Sequence, residues 1–530
     1  MLAYLASGKP FGDAEARRRI DTHAASVFLS GNRAWKIKRA VRYPYLDFST
    51  PEKRKAAIEA ELRLNRRTAP DLYLAVRPIT RSGDALSIGG GGEVLDWVLE
   101  MRRFPDGALL DELAAQGPLY ASLLVRLADQ VHAFHDHAGP IAEANGADRF
   151  RRILDGNADS LGPHAELFRG ERIASLIRNQ RQLCDHHAAL LNTRGRMGRI
   201  RHVHGDLHLA NIVLIDGEPT LFDCLEFSEE LATTDILYDL AFLLMDLWHR
   251  DLHTDANIVF NRYIDLSADE EGVRLLPLFL SVRATIRAHV LATTGERTDS
   301  AVALQQAHAF LDLAERLIAV TSPWLIAIGG LSGTGKSALA RALGASFGPA
   351  PGARILRSDV LRKRVAGVSP EQRLSSAFYT PLANRTVYEL VNDLTARHLS
   401  NGTSVVADAV FPGSDERATI ARGAAHAHVP FFGLWLDAPE AIRLERVGQR
   451  TADASDADAG VVRAQSHHSA GLLGEWHQLR ADQPLAAVAT DARANITGAG
   501  ACGSSHGLRG SSLDNTAAAV RVSKEDDKSG

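Results

Sequence analysis

The sequence predicts a multidomain α/β protein: an α+β module over residues 1–320, an α/β module with a parallel sheet over residues 323–490, and a disordered tail over residues 491–530. Three observations carry this expectation. Residues 1–102 alternate strand-like runs with one helix, whereas most of residues 108–320 shows apolar residues at helical spacing. At Thr321-Ser322-Pro323 the character changes, and strand and helix patterns then alternate as they do around a parallel sheet. The first strand beyond that boundary enters a glycine-rich loop of the form G-x-x-x-x-G-K-[ST].

In chain order, Ser26–Leu29 and Ala34–Val41 flank the turn Ser30-Gly31-Asn32-Arg33 and predict a hairpin. Residues 51–67 predict a helix that opens on Pro51, with Ala57, Ile58, Leu62 and Leu64 supplying apolar contacts. Leu72–Ile79 and Val94–Arg102 read as further strands, separated by the turn-rich Ser82–Gly92 with its four consecutive glycines. Tyr120–Phe134 has one inward apolar stripe. Within the helical stretch, Ile212–Ile215 and Thr220–Phe222 flank Asp216-Gly217-Glu218-Pro219, a second hairpin. Trp324–Ile328, Arg354–Arg357, Ser404–Ala407 and Phe431–Leu436 are the strands of the second module, and residues beyond about 495 are Gly/Ser/Ala-rich with little to bury.

Composition excludes several classes. With 45% hydrophobic residues the chain can bury sizeable cores, and its net charge of −4 supplies no overall field for nucleic acid or an anionic membrane. Three scattered cysteines (Cys184, Cys224, Cys502) form neither a disulfide framework nor a cysteine zinc site, and a reducing cytoplasm is the expected setting. The N-terminus lacks the apolar core of a secretory signal. The most apolar stretch, Leu237–Trp248, carries Asp239 and Asp246 and falls short of the roughly 20 residues a bilayer requires, so it reads as a buried helix.

Gly330-Leu331-Ser332-Gly333-Thr334-Gly335-Lys336-Ser337 follows a strand and precedes a helix, the context in which such a loop wraps phosphates. Gly330, Ser332, Gly333, Thr334 and Gly335 would present backbone N–H groups, Lys336 would reach the β/γ-phosphates of ATP, and Ser337 would ligate Mg2+. Asp359, at the end of the next strand, is the candidate base for an acceptor hydroxyl, with Arg362, Lys363 and Arg364 beside it to hold an anionic substrate. Asp408 ends another strand and is expected at a metal-bound water or the acceptor. Arg443, Arg446 and Arg450, spaced on one helix face, would cover the phosphates as a lid. Residues 323–490 resemble the P-loop small-molecule and polynucleotide kinases, including gluconate-kinase-like and zeta-toxin-like ATPases.

His204-Gly205-Asp206-Leu207-His208-Leu209-Ala210-Asn211, followed by a hairpin and Leu221-Phe222-Asp223, is the most informative stretch of the first module. Phosphoryl transfer needs a carboxylate at the acceptor hydroxyl and oxygen ligands for Mg2+, places that Asp206, Asn211 and Asp223 would fill. A metallohydrolase reading of His202, His204, Asp206 and His208 fails by one position, because Leu207 separates the aspartate from the last histidine.

This stretch resembles the catalytic loop of aminoglycoside-phosphotransferase-like, or choline-kinase-like, proteins, a branch of the bilobal protein-kinase fold. Alternation in Ala34-Trp35-Lys36-Ile37-Lys38 puts Lys36 and Lys38 on one face, so either could reach the nucleotide phosphates; Lys36 is the first candidate, with Glu61 as its partner and Glu59 second, as fits the resemblance. It also places Glu100-Met101 at the adenine-binding hinge, and Asp235 and Asp239 are expected to brace the catalytic loop. Arg33–Lys38, Leu46-Asp47-Phe48, His204–Asn211, Phe222–Phe227 and the phosphate loop recur in order in bacterial proteins that fuse such a domain to a P-loop kinase-like domain.

The expected function is an ATP- and Mg2+-dependent phosphotransferase whose two modules each act on a hydroxyl of a small molecule. The alternatives are a nucleotide-sensing regulatory ATPase with one non-catalytic module, and a polynucleotide end kinase in the P-loop half. No membrane partner is expected, nucleic acid is disfavoured, and the acceptors and oligomeric state are not legible in the chain.

Overall fold

The computed structural model describes residues 2–7, 18–22, 24–43, 46–142, 145–450, 453–467 and 471–503, without the side chains of residues 2–3 and 498–503. The first hairpin forms as Ala25–Ser30 and Arg33–Lys38 around Gly31 and Asn32, with Gly31 at φ +54° supplying the left-handed conformation that so tight a turn requires. These strands sit in a six-stranded antiparallel sheet whose order is Arg19–Asp21, Ala25–Ser30, Arg33–Lys38, Glu93–Arg102, Tyr73–Ser82, Ala85–Ile88. The last strand falls inside the segment expected to be turns. Ala85–Ile88 pairs with Ile79–Ser82 across a two-residue turn at Gly83 and Asp84, and the four glycines begin only after it. Phe28, Ile37, Ile79 and Val98 pack one face of this sheet, and Ile58, Leu72, Tyr73 and Leu99 the other.

Helix Pro51–Asn65 lies on that second face and ends two residues earlier than expected. Thr50 caps it, its hydroxyl accepting the Lys53 N–H at 3.4 Å, and Pro51 occupies the first turn, where no partner for a backbone N–H is missed. Its buried stripe is Arg54, Ile58, Glu61, Leu64 and Asn65, so polar groups are sequestered along with the apolar ones.

The helical lobe surrounds Ile236–His249, in which every residue from Ile236 to Leu247 is buried, as expected of a helix apolar on all sides. Leu276–Thr298 packs along it; the stretch Glu271–Thr298 is the one segment among the described residues long and apolar enough to cross a membrane, and 67% of its apolar window is buried inside the protein. The second hairpin, Ile212–Ile215 with Glu218–Leu221, turns at Asp216 and Gly217, both at positive φ.

The C-terminal sheet is fully parallel, in the order Arg354–Arg357, Val405–Asp408, Leu325–Gly330, Phe431–Asp437, His477–Arg480. The edge strand His477–Arg480 was not anticipated: only Leu479 is buried, so it lacks an apolar run. Helix Leu485–Gly503 runs through the segment assigned to the tail and buries Val488, Ala489, Ala492 and Ile496 in the sheet's core. The domain therefore extends past residue 490; residues 504–530 lie outside the described residues.

The two modules meet through buried polar groups. The Asn257 and Asn261 amides donate to the Ala353 carbonyl (3.0 and 3.1 Å), and the Arg354 guanidinium, 0% exposed, spans Glu270, Asp265 and Asn261.

Candidate active sites

Strand Arg33–Lys38 is paired on both sides, so alternation sends Lys36 and Lys38 to the same face, toward helix Pro51–Asn65. Lys36 Nζ lies 2.7 Å from Glu61 Oε1 and 2.6 Å from Asp223 Oδ1. Burial alone would lower the Lys36 ammonium, but Asp223 and Glu61 outweigh it and hold its pKa well above the ordinary value. Lys38 Nζ takes the other Glu61 oxygen at 2.7 Å and also pairs with Glu226. Burial would raise Glu61, and the two lysines keep it ionised below the usual carboxylate range. Glu59 is on the solvent side, paired with Lys55.

The Asp223 N–H donates to the Tyr73 hydroxyl (3.0 Å) and the Cys224 N–H to Asn65 Oδ1 (2.8 Å), which pins the segment after the hairpin to the first lobe. Asp223 itself sits at φ +61°. Across the cleft Asn211 Nδ2 donates to Asp206 Oδ2 (3.0 Å) and to the Asp206 carbonyl (2.9 Å), leaving the Asn211 side-chain oxygen available. Asp206 is 39% exposed at its side chain; burial would raise it, but His208, whose Nε2 lies 3.4 Å away, together with Arg287 and His204 holds it below the ordinary range. A carboxylate so placed stays ionised near neutral pH.

The loop that carries Asp206 is held from below. Asp239, fully buried, accepts the Gly205 N–H (2.8 Å) and the His204 N–H (3.2 Å), and Arg283 Nη1 donates to the Gly205 carbonyl (3.2 Å). Both His204 ring nitrogens are used within the loop, one on the Phe222 carbonyl and one on the Asp206 N–H. Asp246, not singled out from the sequence, accepts the Leu209 N–H (3.0 Å). Asp235, expected to brace the loop beside Asp239, instead caps helix Ile236–His249 and pairs with Arg194. The hinge assignment also shifts: Glu100 lies within a strand, tied to Arg33 and Arg77, and Met101 is in the core.

In the second module the glycines at the start, middle and end of the loop have φ of +136° (Gly330), +87° (Gly333) and +95° (Gly335). A Cβ on Gly333 would stand 2.6 Å from the Arg443 carbonyl oxygen, so the turn closes only with glycine there. Lys336 Nζ donates to the Leu331 carbonyl (3.1 Å), and the Ser337 hydroxyl donates to Asp408 Oδ2 (2.5 Å) at the end of the neighbouring strand. Burial pulls the Lys336 pKa down against Asp408 and Asp359. The cleft over this loop encloses about 950 Å³, and Ser332, Thr334, Asp359, Arg446 and Arg450 all line it.

Asp359 lies in the first turn of helix Ser358–Val365, two positions beyond the cap residue Arg357, and it faces the cleft. Burial raises its pKa; Arg357 opposes the rise and Asp408 adds to it. Its basic neighbours are committed elsewhere: Lys363 is buried on Asp456 (2.6 Å) and Arg364 pairs with Glu270 (2.7 Å), so only Arg362 of the three faces the cleft. The lid also differs from expectation. Arg443 is buried and ties the Ala438 carbonyl to Ser466, while Arg446 reaches the Thr334 carbonyl (3.3 Å) and Arg450 lies just past the helix end at Gly448. Gln465, which sequence reasoning missed, accepts the Ser332 N–H at 2.8 Å and places helix Ala459–Ser466 over the loop.

Comparison with known proteins divides the chain in the same way. Residues 30–276 match the phosphotransferase enzyme family (APH), and residues 325–471 match an AAA domain model. Over 473 residues the chain is 29% identical to the uncharacterized proteins Rv2004c of Mycobacterium tuberculosis and Mb2027c of Mycobacterium bovis, covering 87% of this chain and 91% of each relative. Similar solved structures include a thermostable mutant of aminoglycoside phosphotransferase APH(4)-Ia (15% identical, 57% of this chain and 97% of that one, TM-score 0.35). A gluconokinase from Sinorhizobium meliloti 1021 is 18% identical, over 35% of this chain and 98% of that one, with a TM-score of 0.27. One segment of the chain thus resembles the phosphotransferase enzyme family and a second, after it, resembles an AAA domain.

Proposed function

We propose that the chain is an ATP- and Mg2+-dependent phosphotransferase with two nucleotide-binding modules, each moving the γ-phosphate to a hydroxyl of a small molecule. The observation that carries the reading is the meeting of Lys36, Glu61 and Asp223 in one ion cluster, joined to the hydrogen-bonded pair Asp206 and Asn211 through the Phe222 N–H on the Asn211 carbonyl. Glu61 keeps Lys36 charged and extended toward phosphate oxygens, and Asp206 orients the acceptor hydroxyl and takes its proton as the new P–O bond forms.

Asn211 Oδ1 and the second Asp223 oxygen are hard oxygen donors of the kind Mg2+ takes, and Ser337 with Asp408 makes the corresponding pair in the second module. Bound there, the cation would neutralise charge on the phosphates. In the P-loop module Lys336 and the loop amides grip the nucleotide, Arg446 and Arg450 screen it, and Asp359 receives the acceptor proton.

Calorimetry with a non-hydrolysable ATP analogue and Mg2+ is expected to find two sites per chain. Lys336→Ala should remove one and Asp223→Ala should weaken the other. Absence of binding at both would overturn the reading.

The two modules should also differ in their acid limbs. Each base works only when ionised, so a raised pKa moves the loss of activity to higher pH and a lowered one moves it to lower pH. Asp359 is raised and Asp206 lowered, so acidification should extinguish the P-loop module first. Profiles of kcat/KM for Asp206→Asn, which reports the P-loop module, and for Lys336→Ala, which reports the other, check the order.

A further inference from the structure

Helix Leu276–Thr298 brings two arginines toward the catalytic loop, one turn apart on the same face. Arg283 donates to the Gly205 and Tyr238 carbonyls (3.2 and 3.1 Å), its Nη2 lies 3.7 Å from Asp239, and its guanidinium lies 3.8 Å from the Tyr238 ring centroid and 4.7 Å from that of Phe242. Arg287, about 6 Å further along the helix, is half-buried, yet its guanidinium makes no hydrogen bond and no ion pair among the described residues. It lies 5.8 Å from the Phe310 centroid, and that ring stacks on His249 at 3.8 Å. It is also close enough to Asp206 to help hold that carboxylate ionised.

The remaining polar groups on this side do not neutralise it. His208 leans on Asp206 and, edge-on, on Phe242, at 5.3 Å between centroids. Asp246 is occupied by the Leu209 N–H and by Arg250, 3.3 Å away. One turn from the arginine that holds the Gly205 carbonyl there is thus a half-buried, five-donor cation that makes no hydrogen bond or ion pair among the described residues, beside an aromatic floor. Such a guanidinium fork has its donors free for a ligand and matches a carboxylate or phosphate. An ammonium acceptor would be repelled there.

We propose that the acceptor of the kinase-like module carries an oxyanion beside its reacting hydroxyl, and that Arg287 binds it. This rests on the phosphotransfer reading above. The hydroxyl oxygen bonds to the γ-phosphorus, the bond from that phosphorus to the β,γ-bridging oxygen breaks, ADP leaves, the hydroxyl proton passes to Asp206, and the oxyanion is unchanged.

The test uses the full chain carrying Lys336→Ala, with ATP and Mg2+, and follows ADP release with D-gluconate, D-glycerate or glycerol 3-phosphate against glucose, glycerol, ethanolamine and kanamycin. Stimulation by one or more of the anions is expected, with the carboxylate and phosphate arms separating the two oxyanion sources. Arg287→Gln should raise KM for that anion about 10- to 100-fold, the range of a charge-assisted hydrogen bond, with kcat at saturation moving much less, and Arg287→Lys should restore part of the affinity. Stimulation by the amines alone, or an Arg287→Gln defect confined to kcat and equal for every acceptor, would overturn the proposal. Calorimetric titration of the three anions into the same protein loaded with the ATP analogue separates the two claims. Anion binding lost in Arg287→Gln without any phosphate transfer upholds the oxyanion site and sinks the phosphotransfer reading, whereas no binding of any of the three sinks the oxyanion site.

Discussion

Asp206→Asn should lower kcat of the kinase-like module by about 10²- to 10⁴-fold, the usual contribution of a positioned general base. The substitution preserves shape and leaves Lys36, Glu61, Asn211 and Asp223 in place, so affinity for the ATP analogue should change little. What is removed is the charge that hydrogen-bonds the acceptor hydroxyl and receives its proton. The variant should fold, because the loop is held by Asp239, Asp246 and Arg283 rather than by the Asp206 carboxylate. Measured in the Lys336→Ala background so that the P-loop module is silent, a loss smaller than tenfold would place the proton acceptor elsewhere.

Arg354→Ala should be the most destabilising single change at the junction, by about 3–5 kcal/mol, the range found when one partner of a buried ion pair is deleted. Arg354 Nε and Nη2 each lie 3.0 Å from a Glu270 oxygen, Nη2 lies 2.6 Å from Asp265, and Nη1 takes Asn261 at 3.0 Å. Its removal leaves Glu270 and Asp265 buried with only part of their compensation, Arg364 and His398 still serving Glu270. Glu270→Gln should recover part of the loss, so the double variant is expected to be less destabilised than the sum of the two singles.

The damage should not stay at the junction. Arg354 opens the strand that leads directly into Ser358 and Asp359 at the phosphate cleft. Nucleotide affinity of the P-loop module should therefore fall together with the melting temperature, while that of the first module holds. Thermal scans with and without the ATP analogue, beside limited proteolysis across residues 319–324, measure both. An unchanged melting temperature would mean that water or a rearranged Arg364 takes over the carboxylates.

Much of the fold was legible because its signals are local. The phosphate loop declares itself through glycines that only one backbone geometry needs, and the parallel strands through short apolar runs such as Val405–Asp408. What escaped were elements whose stability comes from neighbours. Ala85–Ile88 is a strand because Tyr73–Ser82 offers it a partner, and His477–Arg480 because Phe431–Asp437 does; neither has a pattern of its own. Helix Leu485–Gly503 was hidden by a small-residue composition that also describes a tail, and packing of Val488, Ala492 and Ile496 against the sheet decides the matter.

At the sites the same division holds. Residue type, spacing and the family resemblance singled out Lys36, Glu61, Asp206, Asn211 and Asp223, and Lys336, Ser337 and Asp408, as candidates, and folding brings Lys36 to Glu61 and Asp223, Asp206 to Asn211, and Ser337 to Asp408. Charge patterns were poorer guides. Arg443, Lys363 and Arg364 look in the sequence like parts of basic faces, yet Lys363 and Arg364 are drawn to carboxylates far away in the chain and Arg443 to the Ala438 carbonyl and the Ser466 hydroxyl. Arg287 looks like one more helix charge, and only the packing of helix Leu276–Thr298 against Ile236–His249 sets it near the catalytic loop with no hydrogen bond or ion pair among the described residues. The sequence by itself determined which atoms can do chemistry and in what order they come, since covalent spacing and backbone geometry act over a few residues. Which charges are free to meet a ligand was decided by tertiary structure alone, because a charge is neutralised by whatever folding brings within a few ångströms of it.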